Sequence, residues 1–460
     1  MKDDAWHEAR LIPTSGINGA DEQERRGTSA LLAVLASVRE FGRSITGGLG
    51  APAGPIQTFI EVPFQHDGKT VRPDGLIRVS RAGRSWTALV EVKTGRNDLR
   101  ADQLEAYLDV AKAEGFDVVL TISNQIPTAP GLHPTTVSKS KLKKVSLKHL
   151  SWSQIHTEAI MERLNRAVAD PDQAWILSEL IRYLEHPKSG AVDFDDMGPS
   201  WVAVRESVVN GTAKAADGAV TDVAARWEQL IQYAGMQLGR QLGIEVLPAL
   251  SRREMAEPGI RLQQQAQTLA TSGILTGALR VPDTVGSLEV TADLRAGRVT
   301  CQVSVDAPRE GRALTRVRWL LRQLDAAPGD VRIDVFTPWS RGAGVSTHLE
   351  SAREDPTALL DAQKREPKAF ALTHARKAGT KRGQGRGSFA GSVLEEVDEF
   401  YATVMQQLKP WAPAPRKIRQ PEAEQEPGVS PEAASALSSQ DEHEPQPGIV
   451  GDEPSEEATA

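Results

Sequence analysis

The sequence predicts a mixed α/β protein with four parts. These are an α-β-β-β-α-β layer over residues 1–150, a helical connector over 151–243, an α+β domain over 244–410, and a disordered acidic tail over 411–460. Three observations predict it. In the first part, apolar residues with helical period flank runs of β-type residues. In the second, helical periodicity takes over. In the last, proline and acid displace almost every large apolar residue, so little surface can be buried to offset chain entropy.

The first part carries the most pattern. Residues 21–41 have helical period, with Leu31, Leu32, Leu35 and Val38 on one side. Gly47, Gly48, Gly50, Pro52, Gly54 and Pro55 then break the chain. Residues 58–64 read as a strand, and Asp67-Gly68 as a hairpin turn. Residues 75–79 and 85–92 read as two more strands. Asn97-Asp98 can cap a helix to about Ala113. Residues 117–122 and 145–150 read as short strands. In the connector, helices are expected from Ser151 or Ser153 to Ala167, from Asp172, and over 220–242. Beyond it, strands are expected over 288–294, 299–305 and 331–336, with helices over 313–324 and 392–408. There is no convincing internal repeat.

Composition narrows the class. The 460 residues carry 54 Lys and Arg against 61 Asp and Glu, a formal charge of −7. That sign comes from one end. From Gln420 onward there are 11 acids and no Lys or Arg, which leaves 54 basic against 50 acidic residues before it. A mildly basic body with an acidic tail is compatible with a polyanionic partner. The tail either solubilises the chain or competes with nucleic acid for that body. No apolar run is long enough for a membrane span, and the acidic start Met1-Lys2-Asp3-Asp4 lacks the core of a secretory signal, so a cytoplasmic location is expected. The single cysteine, Cys301, excludes an intramolecular disulfide framework and a Cys-based zinc cluster. Nine histidines are scattered without zinc-ligand spacing, and no Gly-x-Ser-x-Gly elbow occurs.

One constellation carries chemistry. Pro73-Asp74 opens one strand of a hairpin, and Glu91-Val92-Lys93 ends the next. Residues i and i+2 of a strand share a face, so Glu91 and Lys93 project together while Val92 packs on the other side. Asp74 can lie beside Glu91. Two adjacent carboxylates repel unless a cation sits between them, and hard oxygen ligands suit Mg²⁺ or Mn²⁺ with several waters retained. A lysine beside such an ion can orient or deprotonate water, or bind phosphate. The set suits metal-assisted phosphodiester hydrolysis.

Pro73-Asp74 and Glu91-Val92-Lys93, within an α-β-β-β-α-β order, resemble the PD-(D/E)XK nuclease superfamily over roughly residues 20–150. The resemblance implies a restriction endonuclease-like core. It implies Mg²⁺ (or Mn²⁺) held by Asp74, Glu91 and Val92, with Lys93 serving the hydrolytic water, and DNA as the most favoured substrate. Gln103 and Tyr107, four apart on the following helix, are similar to a motif of the helicase-associated exonuclease branch. Without that role, Tyr107 is a core aromatic and Gln103 a solvated amide. The family often has a further acid on the first helix, a place taken by Glu24. Glu61 is a rival, and Asp21 to Glu24 also reads as a capping box.

Arg96, Arg100, Lys139, Lys141, Lys143 and Lys144 are candidate phosphate contacts, with a solvated loop as the alternative for the lysines. The basic glycine-rich stretch 376–387 lacks P-loop spacing and reads as a flexible loop touching nucleic acid. A second expectation is a catalytically idle module that binds DNA or scaffolds a repair, stress or phage-defence assembly. In that case the C-terminal region would dock a protein partner.

Overall fold

The computed structural model describes residues 11–13, 17, 19–95, 97–191, 194, 196–338, 342–363 and 365–413. Position 96 and the tail from 414 onward, where a disordered segment was expected, lie outside the described residues. No helix among the described residues is long and apolar enough to cross a membrane.

The N-terminal half is a five-stranded mixed sheet between two helical layers. Its elements are α1 (Ala20–Ser37), α2 (Arg39–Gly48), β1 (Ile56–Ile60), the β2 (Phe64–His66) and β3 (Lys69–Val71) hairpin, β4 (Gly75–Arg81), β5 (Arg84–Val92), α3 (Ala101–Glu114), β6 (Val118–Ser123), β7 (Ser146–Ser151), α4 (Trp152–Ile160) and α5 (Pro171–Glu185). The strand order is β1-β4-β5-β6-β7. The first two pairings are antiparallel and the last two parallel. β5 therefore carries antiparallel and parallel neighbours on its two sides, and every residue from Trp86 to Val92 is buried, the continuous apolar character of a central strand.

The single first helix expected to residue 41 is two helices. Val38 is extended (φ −100°, ψ 101°), and the ladder restarts at Arg39. Gly42 lets the second helix cross the first, because a β-carbon there would lie 2.1 Å from the Leu35 carbonyl oxygen. At the β2–β3 turn Asp67 (φ 47°) and Gly68 (φ 73°) are both left-handed, as a two-residue hairpin of this twist requires.

The sheet faces are distinct. Val90, Val92, Leu120 and Ile122 pack against α1, α2, α4 and α5. Leu76, Leu89 and Val119 pack against Leu104, Leu108 and Ala111 of α3.

The C-terminal half comprises α6 (Trp201–Val209), α7 (Gly218–Leu242), β8 (Leu247–Pro248), α8 (Arg252–Ala256), α9 (Pro258–Ser272), β9 (Ile274–Arg280), β10 (Leu288–Asp293), β11 (Arg298–Asp306), α10 (Ala313–Leu321), β12 (Arg332–Phe336), β13 (Val345–His348), α11 (Leu349–Glu354), β14 (Ala369–Lys377) and α12 (Phe389–Thr403). Its seven strands are antiparallel in the order β13-β12-β14-β11-β10-β9-β8.

The helical connector expected over 151–243 is not a layer of its own. Trp152, Ile155, Leu177 and Leu180 complete the first core, whereas Trp201, Val223, Trp227 and Ile231 belong to the second. The apolar stripe of each helix is matched by a different sheet. Gln232 of α7 donates to the Pro127 carbonyl, and Arg240 lies 3.1 Å from His156 Nδ1, so α7 spans both halves.

Candidate active site

Asp74 and Glu91 meet because of the hairpin register. Gly75 pairs with Val90 and Leu76 with Leu89. Continuing that register places Asp74 opposite Glu91, on the α3 face. Main-chain hydrogen bonds on both sides of β5 fix the position of Glu91. Lys93 is held at the strand end by its N–H, which donates to the Ile122 carbonyl at 2.7 Å.

The side chains form one cluster. Lys93 Nζ lies 2.8 Å from Glu91 Oε1 and 3.2 Å from Glu24 Oε2. Gln103 Nε2 donates to Glu91 Oε1 at 2.8 Å and to the Tyr107 hydroxyl at 2.9 Å. The Tyr107 hydroxyl points at the Arg72 carbonyl, 3.4 Å away. Asp74 Oδ2 accepts the Val92 N–H at 2.7 Å. Glu91 is 1% exposed, and its Oε2 is buried without a hydrogen-bond partner among the described residues.

Burial dominates the electrostatics. Desolvation, reinforced by the Asp74 charge, pushes Glu91 up to about 7 against the pull of Lys93. Burial likewise raises Asp74, opposed first by the Val92 N–H. For Lys93 burial pulls down, but the Glu91 carboxylate and its hydrogen bond outweigh it and the net direction is upward. Lys93 is therefore an ammonium donor and not a base in this arrangement. Burial, with the Glu91 charge second, raises the Tyr107 hydroxyl and keeps it protonated.

Two expectations about the acids are resolved by geometry. Glu24 does not close a capping box; the α1 N-cap is Gly19, with no side-chain cap. Glu24 instead reaches Lys93 and accepts from Asn97 Nδ2 at 2.5 Å. Its rival Glu61 is exposed, 3.7 Å from Arg25.

Val92 packs on the face opposite Glu91, as the strand period predicts. Its side chain is in the opposite core and its N–H is spent on Asp74; only its carbonyl oxygen is of the right chemistry.

Among the described residues no three His, Cys, Asp or Glu side chains are grouped to enclose a metal. The donors fit an ion that keeps most of its waters, with Asp74 and the unpartnered Glu91 Oε2 supplying hard oxygen. They do not fit a closed zinc-type site.

The expected basic patch is not beside this cluster. Lys139, Lys141, Lys143 and Lys144 precede β7, whose first residue Ser146 pairs with Val118, at the end of the sheet opposite Glu91 and Thr121. Lys141 is also bound to Asp109. Arg100 precedes α3 and is exposed, held by Asp102 at 2.5 Å. Arg96 lies outside the described residues.

Three contributors were missed. Arg72 is exposed beside Tyr107; its signal was a basic residue directly before Pro73-Asp74. Asn97, expected to cap a helix, buttresses Glu24. Thr121, level with Glu91 in the neighbouring strand, lies 2.8 Å from both His133 Nε2 and His149 Nδ1. His149 Nε2 lies 2.8 Å from the Gln125 carbonyl. No sequence spacing announces that His–Thr–His group, because strand pairing assembles it.

No family model, no curated protein and no solved structure matches this chain.

Proposed function

We propose that this protein is a metal-dependent nuclease whose N-terminal half has a restriction endonuclease-like core and hydrolyses phosphodiester bonds, in DNA before RNA. The observation that carries it is the convergence of Asp74, Glu91 and Lys93 at one strand end, with one buried Glu91 oxygen left without a partner. An acid pair of this kind costs stability, and the single Lys93 ammonium is shared with Glu24 and so leaves negative charge for a metal ion to match.

Asp74 and Glu91 would hold Mg²⁺ or Mn²⁺, which when bound supplies charge to the scissile phosphate and a more acidic water. Gln103 fixes the Glu91 carboxylate, and Tyr107 fixes Gln103. Glu24 holds the Lys93 ammonium toward the pair. Lys93 then donates hydrogen bonds to the attacking water or to a non-bridging phosphate oxygen. Arg72 and Arg100 stand at the rim as phosphate contacts.

The test is cleavage of labelled DNA in Mg²⁺ or Mn²⁺ by wild type, Asp74→Asn and Lys93→Ala. Both variants should lose activity by at least ~10²-fold while melting as folded proteins. Retained cleavage in both ends the proposal. The binding-module reading draws on the Lys93 ammonium, which itself bridges Glu24 and Glu91. DNA binding with no hydrolysis under either metal favours it.

A further inference from the structure

The loop that follows Lys93 is tied to the segment between α5 and α6 that links the two halves. Gly95 N–H donates to the Gly190 carbonyl at 2.9 Å. Asn124 Nδ2 bridges the Gly95 carbonyl at 2.9 Å and the Gly190 carbonyl at 2.8 Å. A cleft of about 370 Å³ begins one residue beyond Asn124. One wall is Gln125–Thr128, the loop leaving β6, and the other is Met197–Ser200 with Arg226 of α7. Gln125 Oε1 is buried there without a hydrogen-bond partner among the described residues.

The far wall is bonded to the basic glycine-rich loop. Met197 N–H donates to the Arg382 carbonyl at 3.0 Å, and the Arg382 guanidinium holds Asp196 at 3.1 Å. Trp201 Nε1 donates to the Thr380 carbonyl at 3.1 Å. The loop is therefore pinned in place, contrary to the flexible segment that its glycines suggest. Lys381 and Arg386 are exposed, and neither makes an ion pair among the described residues.

We infer that the glycine-rich loop is a second phosphate-binding station, reached from the Lys93 site across the Gln125–Ser200 cleft, with Lys381, Arg386 and Arg226 contacting the backbone of one continuous nucleic acid. The inference rests on the nuclease reading for its substrate class. Glycines let a phosphate approach the main chain, and lysine and arginine supply sequence-independent attraction. At about 3.4 Å per nucleotide along a duplex strand, a 5-mer spans about 17 Å and a 24-mer about 80 Å, so the longer strand is the one expected to engage both stations. Asp196 and Asp222 also border this route; Asp196 is matched by Arg382, whereas Asp222 keeps its charge while accepting the Ser200 hydroxyl. Lys381, Arg386 and Arg226 outnumber that one carboxylate, so the balance along the route is positive.

The experiment measures binding of fluorescein-labelled DNA of 24 and of 5 nucleotides by fluorescence anisotropy. The 24-mer is used single-stranded and as a duplex, with Ca²⁺ and across 50–200 mM salt. It compares wild type with Lys381→Glu/Arg386→Glu. Both positions are solvent-facing, and melting curves check the fold. The double variant should bind whichever 24-mer form wild type prefers at least ~10-fold more weakly at low salt. Its salt slope should be shallower by about one to two, and the 5-mer should be unaffected. Equal affinity of variant and wild type for both 24-mer forms overturns the second station, as does wild type binding neither form more tightly than the 5-mer. The two readings fail separately. Wild type that shows the loop-dependent binding but cleaves nothing in Mg²⁺ or Mn²⁺ removes the nuclease alone. Cleavage of the 24-mer undiminished by the double substitution, with unchanged binding, removes the station alone.

Discussion

Replacing Glu91 by Gln isolates what the acid pair costs the metal-free protein. Glu91 shifts from 4.5 to about 7, chiefly by burial and secondly by the Asp74 charge. The folded carboxyl keeps its proton to higher pH than the unfolded one. Its contribution to stability is therefore complete below pH 4.5, falls as pH rises from 4.5 to 7, and is gone above 7. At ~1.4 kcal/mol per pH unit that interval is worth about 3 kcal/mol. An unfolding entropy of about 2.1 cal/mol/K per residue over the chain converts it to ~3 °C in Tm. The amide keeps the shape and cannot ionise. In chelator, the Tm of wild type minus that of Glu91→Gln should fall by ~3 °C between pH 4.5 and pH 8, because titrating groups remote from Glu91 cancel in the difference. Mn²⁺ at pH 8 should raise wild type and leave the variant unmoved. A difference that stays constant from pH 4.5 to 8 would refute the reasoning, since Glu91 would then hold no displaced proton.

Gly190 (φ +76°) faces Thr94, and a β-carbon there would lie 2.8 Å from Thr94 Cβ. Gly190→Ala should cost upwards of ~1 kcal/mol in urea unfolding and lower kcat through the Lys93 loop. His149 is depressed to about 4 by burial, so its contribution is full above pH 6.5 and is lost as pH falls through 6.5 towards 4. His149→Asn should flatten that acid limb in melts at pH 4–7. Glu396 is fully buried between His374, 2.9 Å away, and Arg376 at 3.5 Å. Glu396→Gln should destabilise the C-terminal half by about 3 kcal/mol in chemical denaturation.

The acid site was legible because its parts sit on one hairpin and one helix. Local periodicity places Asp74, Glu91, Lys93, Gln103 and Tyr107, and short turns leave few ways to arrange them. The choice of Glu24 over Glu61 was not fixed by local pattern. It depends on α1 packing beside the end of β5, a tertiary fact. The place of the lysines at 139–144 is likewise set by tertiary structure: they precede β7 and so fall at the end of the parallel strands away from Glu91. In the C-terminal half, β9 and β14 were not anticipated. Gly277 interrupts the first, and His374 and Arg376 occupy the inward face of the second, so neither shows clean alternation. Their partners, Val290 opposite Gly277 and Cys301 opposite His374, come from other strands.

The position of β14 has a consequence for biogenesis. It lies between β11 and β12 yet leaves the ribosome after both, so β11, which ends at Asp306, and β12, which ends at Phe336, both wait for a central partner that begins only at Ala369. The seven-stranded sheet cannot close until Lys377 has been made, whereas the strands that carry the acid cluster have all emerged by Ser151. Chaperone demand during synthesis should therefore fall on the second half, where β-pairing is delayed and nascent edges stay open longest.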